Sequence, residues 1–256
     1  MLKPKWAVGV ITAPREKGYY LDSTLRSLKN AGWSDIVVFA EPNSSIPEDF
    51  EGHVVHRRKQ YGDWTNWATG FYELLLSHHE ADLFLMSEDD ALYQTDTKGC
   101  IEEAVTRLGE FASLSLYTPK RYHKPHYSGF HNECHDWETL STVSVVMTRE
   151  MAISFFSSKM VQRHRFENIL SDVGDINYGC VCDPKNSIKD AVIGRWASRL
   201  NLPMYYHTPS FVQHIGHDST IASDAVEEKN LCASEDHACL EKYAMRTDRS
   251  NRIPLL

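Results

Sequence analysis

Trp6-Ala7-Val8-Gly9-Val10-Ile11, followed by Thr12-Ala13-Pro14-Arg15, and Ile36-Val37-Val38-Phe39-Ala40, followed by Glu41-Pro42, decide the fold. Each is a short apolar run that stops at a break. Between them Leu21, Leu25 and Leu28 recur at helical spacing until Gly32 closes the segment. Strand, loop, helix, strand is the opening of a parallel sheet. Further along, Val54-Val55 reads as a short third strand and Asn66 to His79 as a helix with Trp67, Phe71, Leu74 and Leu75 on one face. Leu83-Phe84-Leu85-Met86 is a strand that runs straight into Ser87-Glu88-Asp89-Asp90. Helices are expected over 100–108, 149–157 and 191–200, and strands over 112–117, 142–148 and 204–206. Residues 118–138 are basic, aromatic and irregular, 171–187 read as a loop, and the tail from Ser223 is polar. The expectation is an α/β protein: one Rossmann-like domain with a central, mostly parallel sheet flanked by helices.

With 256 residues, 42% hydrophobic and 11% aromatic, the chain can build one sizeable core. Its net charge of -8 is not the footprint of a nucleic-acid binder. It also means that an anionic ligand needs a local source of positive charge, such as a divalent ion. No stretch reads as a signal peptide or approaches the ~20 apolar residues of a membrane span, so a soluble, cytoplasmic protein is expected. The six cysteines, at 100, 134, 180, 182, 232 and 239, lack zinc-knuckle spacing and are expected as free thiols.

In an open α/β sheet, ligands bind beyond the carboxyl ends of the strands. Thr12–Arg15, Glu41 and Glu88–Asp90 all fall at such ends and are expected to be neighbours in space. Three adjacent carboxylates after a buried strand repel one another unless a cation compensates; Mg²⁺ or Mn²⁺ with oxygen ligands is the natural partner, and a solvated acidic turn is the alternative. Arg15 suits a bidentate phosphate contact. Glu41 reads either as an acceptor for a base or ribose or as a turn residue. In Phe211-Val212-Gln213-His214-Ile215-Gly216-His217-Asp218-Ser219, His214 reads as a metal ligand or as a buried histidine satisfied by backbone, with His217 and Ser219 facing a phosphate. Asp190, at a helix start, reads as an N-cap or as a general base. Trp137, with Glu138 beside it, reads as a sugar-stacking or a core tryptophan.

These residues together resemble the GT-A glycosyltransferases over most of the chain. The likeness is carried by Thr12-Ala13-Pro14-Arg15, by Tyr20 to Leu28, by Ala31-Gly32-Trp33, by Glu88-Asp89-Asp90 in the place of that family's Asp-x-Asp motif, and by Pro209 to Gly216. It is nearest to the inverting N-acetylglucosaminyltransferase branch. The resemblance implies a single GT-A domain, with a nucleotide-sugar half at about 1–93, an acceptor half at about 94–222 and an extension at 223–256. It implies a UDP-sugar donor held with Mn²⁺ or Mg²⁺. Asp90 would be the direct metal ligand with His214, and Glu88 and Asp89 would touch the donor sugar or ribose. Thr12, Pro14, Arg15 and Glu41 would hold the nucleotide, with Asn66 and Trp67 beside it. Asp190 would be the catalytic base and Trp137 and Glu138 would meet the acceptor. The chain departs from the pattern at Lys189, where many relatives carry a second acid.

Other readings compete. Lys120 to Tyr127 interleaves charge with aromatics, and Arg57-Arg58-Lys59 and Arg163-His164-Arg165 add local positive charge. That composition suits a flipped base, and some viral GT-A enzymes similar to this chain glycosylate hydroxymethylated pyrimidines in DNA. Strand-end carboxylates also serve metal-dependent nucleotidyltransferases and phosphohydrolases, although no glycine-rich phosphate loop is present. A non-catalytic nucleotide-sugar binding domain is the third alternative.

Overall fold

A computed structural model describes residues 3–15, 19–119, 122–132, 142–159, 161–162 and 188–216. The strands are β1 (Trp6–Thr12), β2 (Ile36–Ala40), β3 (His53–His56), β4 (Leu83–Glu88), β5 (Ala91–Tyr93), β6 (Ser113–Ser115), β7 (Gly129–Asn132), β8 (Ser144–Thr148), β9 (Met204–Thr208) and β10 (Val212–His214). The helices are α1 (Leu21–Asn30), α2 (Asp63–Ser77), α3 (Thr97–Val105), α4 (Arg149–Ser157) and α5 (Ile188–Leu200).

Eight strands form one sheet in the order β3-β2-β1-β4-β8-β6-β9-β7. β3, β2, β1 and β4 are mutually parallel; β8 runs against β4 and β6, and β7 against β9, while β6 and β9 are parallel. The expected α/β architecture is therefore present, with its all-parallel half built by the N-terminal third of the chain.

Alternation along each strand divides the core. Ala7, Ile11, Phe39, Phe84 and Met86 face α2, α4 and α5, joining Trp67, Phe71, Phe155 and Trp196. Val8, Val10, Val38, Leu83 and Leu85 face α1 and α3, joining Leu21, Leu25, Leu28 and Ile101. Burial on both faces is why these strands read as unbroken apolar runs. Gly32 ends α1 at φ +108°, a conformation that side chains disfavour.

Three expectations shift. α2 starts at Asp63, three residues before the expected Asn66, and its first turn already contributes Trp64 to the core. β7 lies inside the stretch read as irregular, and its partner β9 supplies the ladder. β5 and β10 form a separate antiparallel pair that three-residue runs do not announce. Among the described residues no helix is long and apolar enough to cross a membrane. Cys100 is an exposed free thiol, and the other five cysteines lie outside the described residues.

Candidate metal centre at the carboxyl ends of the parallel strands

The three strand-end features converge. β1 and β4 pair in parallel with Ile11 opposite Glu88, so Thr12 and the turn at Asp89 leave the sheet side by side. Thr12 Oγ1 donates to Asp89 Oδ2 at 2.5 Å. Arg15 Nη2 donates to Asp89 Oδ1 at 2.5 Å and to Asp90 Oδ2 at 2.8 Å. From α1, Thr24 Oγ1 donates to the Asp89 carbonyl at 2.7 Å. The Glu41 backbone N–H donates to the Thr12 carbonyl at 2.9 Å.

The β5–β10 ribbon completes the cluster. His214 sits opposite Ala91, which places its Nε2 3.1 Å from Asp90 Oδ2. The Ile215 N–H donates to the Asp90 carbonyl at 2.9 Å. A Cβ at Gly216 would come 2.1 Å from Asp90 Oδ2 and 3.3 Å from His214 Nε2, so only glycine permits this closure. Below it, the Tyr93 hydroxyl donates to Ser87 Oγ at 2.8 Å and contacts Ser144 Oγ at 2.7 Å. Burial pushes the Tyr93 phenol well above its ordinary range, so it stays protonated.

Asp90 is 3% exposed, and among the described residues its buried Oδ1 has no hydrogen-bond partner. A half-satisfied buried carboxylate is costly. Burial alone would raise its pKa, but His214 and Arg15 outweigh burial and hold Asp90 well below the usual carboxylate range. Burial opposes the Arg15 charge too, and Asp89 and Asp90 more than restore it. One ligand atom from each of Glu88, Asp90 and His214 lies within 4.8 Å of the others, a set able to hold a metal ion.

Two further residues enter. Lys189, at the start of α5, is 1% exposed and donates to Glu88 Oε1 at 2.7 Å and Asp63 Oδ1 at 2.5 Å. Those two acids outweigh the burial penalty and keep the lysine charged. Among the described residues, Asp63, Glu88, Asp89 and Asp90 face the cations Arg15 and Lys189, and burial raises the pKa of Asp63 and Asp89. Asp63 is not marked in the sequence, where the helix is expected only from Asn66, and Lys189 stands out there only as a departure from the family pattern.

A cleft of about 440 Å³ opens beside the cluster, between the loop after β1 and the loop at 43–48. Thr12, Pro14, Arg15 and Asp89 line one side, and Asn43, Ser45, Ile46 and Glu48 line the other. Its size falls within the roughly 300–1,000 Å³ usual for small-ligand sites. Tyr20 lies under the Arg15 guanidinium at 5.3 Å.

Glu41, Asn66 and Trp67 are placed elsewhere than the resemblance implied. Glu41 is 2% exposed, and its carboxylate accepts the backbone N–H groups of Tyr61 and Gly62 at 2.9–3.0 Å. It ties the β2 end to the start of α2. Asn66 bridges Arg57 Nε and the Phe39 carbonyl, and Trp67, fully buried, stacks on Trp64. Asp190 lies half-buried in the first turn of α5, next to Lys189. Trp137, Glu138, His217 and Ser219 lie outside the described residues. No protein-family model matches the sequence, and no curated protein matches it either.

Proposed function

We propose that this protein is a metal-dependent glycosyltransferase that moves a sugar from a nucleotide-sugar donor, of the UDP-sugar kind, to an acceptor hydroxyl with inversion at the anomeric carbon. The observation that carries the reading is the buried Asp90 Oδ1, which has no hydrogen-bond partner among the described residues, within the Glu88–Asp90–His214 group and beside a ligand-sized cleft. Glu88, Asp90 and His214 would hold the ion, and an imidazole among carboxylates favours Mn²⁺ over Mg²⁺. A bound divalent ion supplies charge neutralisation for a diphosphate leaving group. Thr12, Pro14 and Arg15 line the cleft from the β1 side, where the guanidinium offers a further contact for phosphate oxygens. Asp190 takes the proton of the acceptor hydroxyl. The acceptor is a glycan hydroxyl or the hydroxymethyl group of a modified DNA base.

A thermal-shift screen of nucleotides and nucleotide sugars, with and without Mn²⁺, tests this. A ligand at 100 times its dissociation constant adds about 2.7 kcal/mol of stability. A Mn²⁺-dependent shift with one nucleotide sugar, followed by transfer of its sugar, is the expected result. Nucleotide hydrolysis with no sugar transfer moves the site to the phosphohydrolase class. Absence of any shift removes the glycosyltransferase reading.

A further inference from the structure

Lys189 is an expensive residue where it stands. A lysine that is 1% exposed has lost its hydration. As the second residue of α5 it also places a positive charge at the positive end of the helix dipole. An apolar side chain of similar length would fill the space without either cost. What the ammonium does instead is join three elements: α5, the first residue of α2 through Asp63, and the last residue of β4 through Glu88. Its distances to the two carboxylates, 2.5 and 2.7 Å, put it where a cation shared by both acids would sit.

We propose that Lys189 is a tethered cation that fills what would otherwise be a second metal position between Asp63 and Glu88, and so restricts the acidic cluster to one divalent ion while positioning Glu88 to bind it. The inference rests on the metal site of the proposed function, not on the sugar chemistry. With Glu88 Oε1 committed to the ammonium, Oε2 is the oxygen available to an ion. The same bridge anchors the first turn of α5, and with it Asp190, to the carboxyl end of β4.

The test is Mn²⁺ titration of the metal-free full chain without nucleotide, followed by electron paramagnetic resonance and calorimetry. The wild type is expected to bind one ion. Lys189→Met is expected to bind two, because Asp63 and Glu88 are then uncompensated, and combining it with Asp63→Asn is expected to return the count to one. A single ion with unchanged affinity in Lys189→Met overturns the proposal, as does a second ion that persists in the double variant. If Lys189→Met does not fold, Lys189→Arg decides. It keeps the charge but not the shape, so Mn²⁺ affinity should fall about 10–100-fold, as for residues that orient metal ligands; unchanged affinity overturns the positioning role. A wild type that binds no Mn²⁺ overturns this proposal together with the metal site. One bound Mn²⁺ without sugar transfer overturns only the glycosyltransferase reading.

Discussion

The carboxylate edge around Asp89 and Asp90 and the polar corner where β7 meets β9 bury similar kinds of group, and they end in opposite states. In the corner, the Thr118 N–H donates to Ser210 Oγ at 3.0 Å and its hydroxyl to the His207 carbonyl at 2.8 Å. His131 Nε2 meets Thr208 Oγ1 at 2.8 Å, His207 Nδ1 donates to the Pro209 carbonyl at 2.6 Å, and Ser210 Oγ donates to the Val212 carbonyl at 2.6 Å. These groups answer one another within the chain. At the carboxylate edge, among the described residues, four acids meet the two cations Arg15 and Lys189, and Asp90 Oδ1 has no partner. A closed polar network specifies a local structure, whereas one that leaves a buried carboxylate oxygen unpaired calls for something from outside.

The two regions should respond oppositely to substitution, and the largest difference is expected at Asp90. Asp90→Asn keeps the shape and removes the charge. Mn²⁺ binding should weaken at least about 1,000-fold, equivalent to about 4 kcal/mol, measured by calorimetry. Mn²⁺ affinity within tenfold of wild type would erase the contrast.

The corner contributes a pH effect. Burial, aided by His131 and opposed by the Pro209 carbonyl, lowers the His207 pKa from 6.5 to about 4. The folded state therefore prefers the neutral ring. That stability is fully present above pH 6.5 and is lost as pH falls toward 4, by up to about 3 kcal/mol. Denaturant unfolding across this window should show the decline, and His207→Asn should flatten it. An equally steep slope in the variant would assign the acid sensitivity to other groups.

Ser210→Ala should have the smallest effect. It strips the Thr118 N–H of its acceptor and should cost about 1–3 kcal/mol of stability while leaving Mn²⁺ affinity unchanged. Weakened metal binding in this variant would mean that the corner is not independent of the carboxylate edge.

Much of the parallel half was legible locally. The runs at 6–11, 36–40 and 83–86 are buried on both faces, so apolarity alone marks them. The convergence of Thr12, Arg15, Glu41 and Glu88–Asp90 followed from the rule that parallel strands end on one edge. Glu41 and Trp67 show the limit of that rule: lying near the edge does not say whether a side chain points at a ligand or at backbone and core.

Local pattern thus sufficed for the α/β class, the parallel strands and the acidic strand end, because periodicity and strand termini are short-range properties. It did not suffice for the partners of those acids. Arg15 and Asp89 are 74 residues apart, Lys189 and Glu88 101, and Lys189 and Asp63 126. His214 reaches Asp90 only because β10 pairs with β5 and Gly216 leaves room for the turn. Charge balance in a buried cluster is summed over groups that meet in space, and a one-dimensional pattern carries no record of which groups those are.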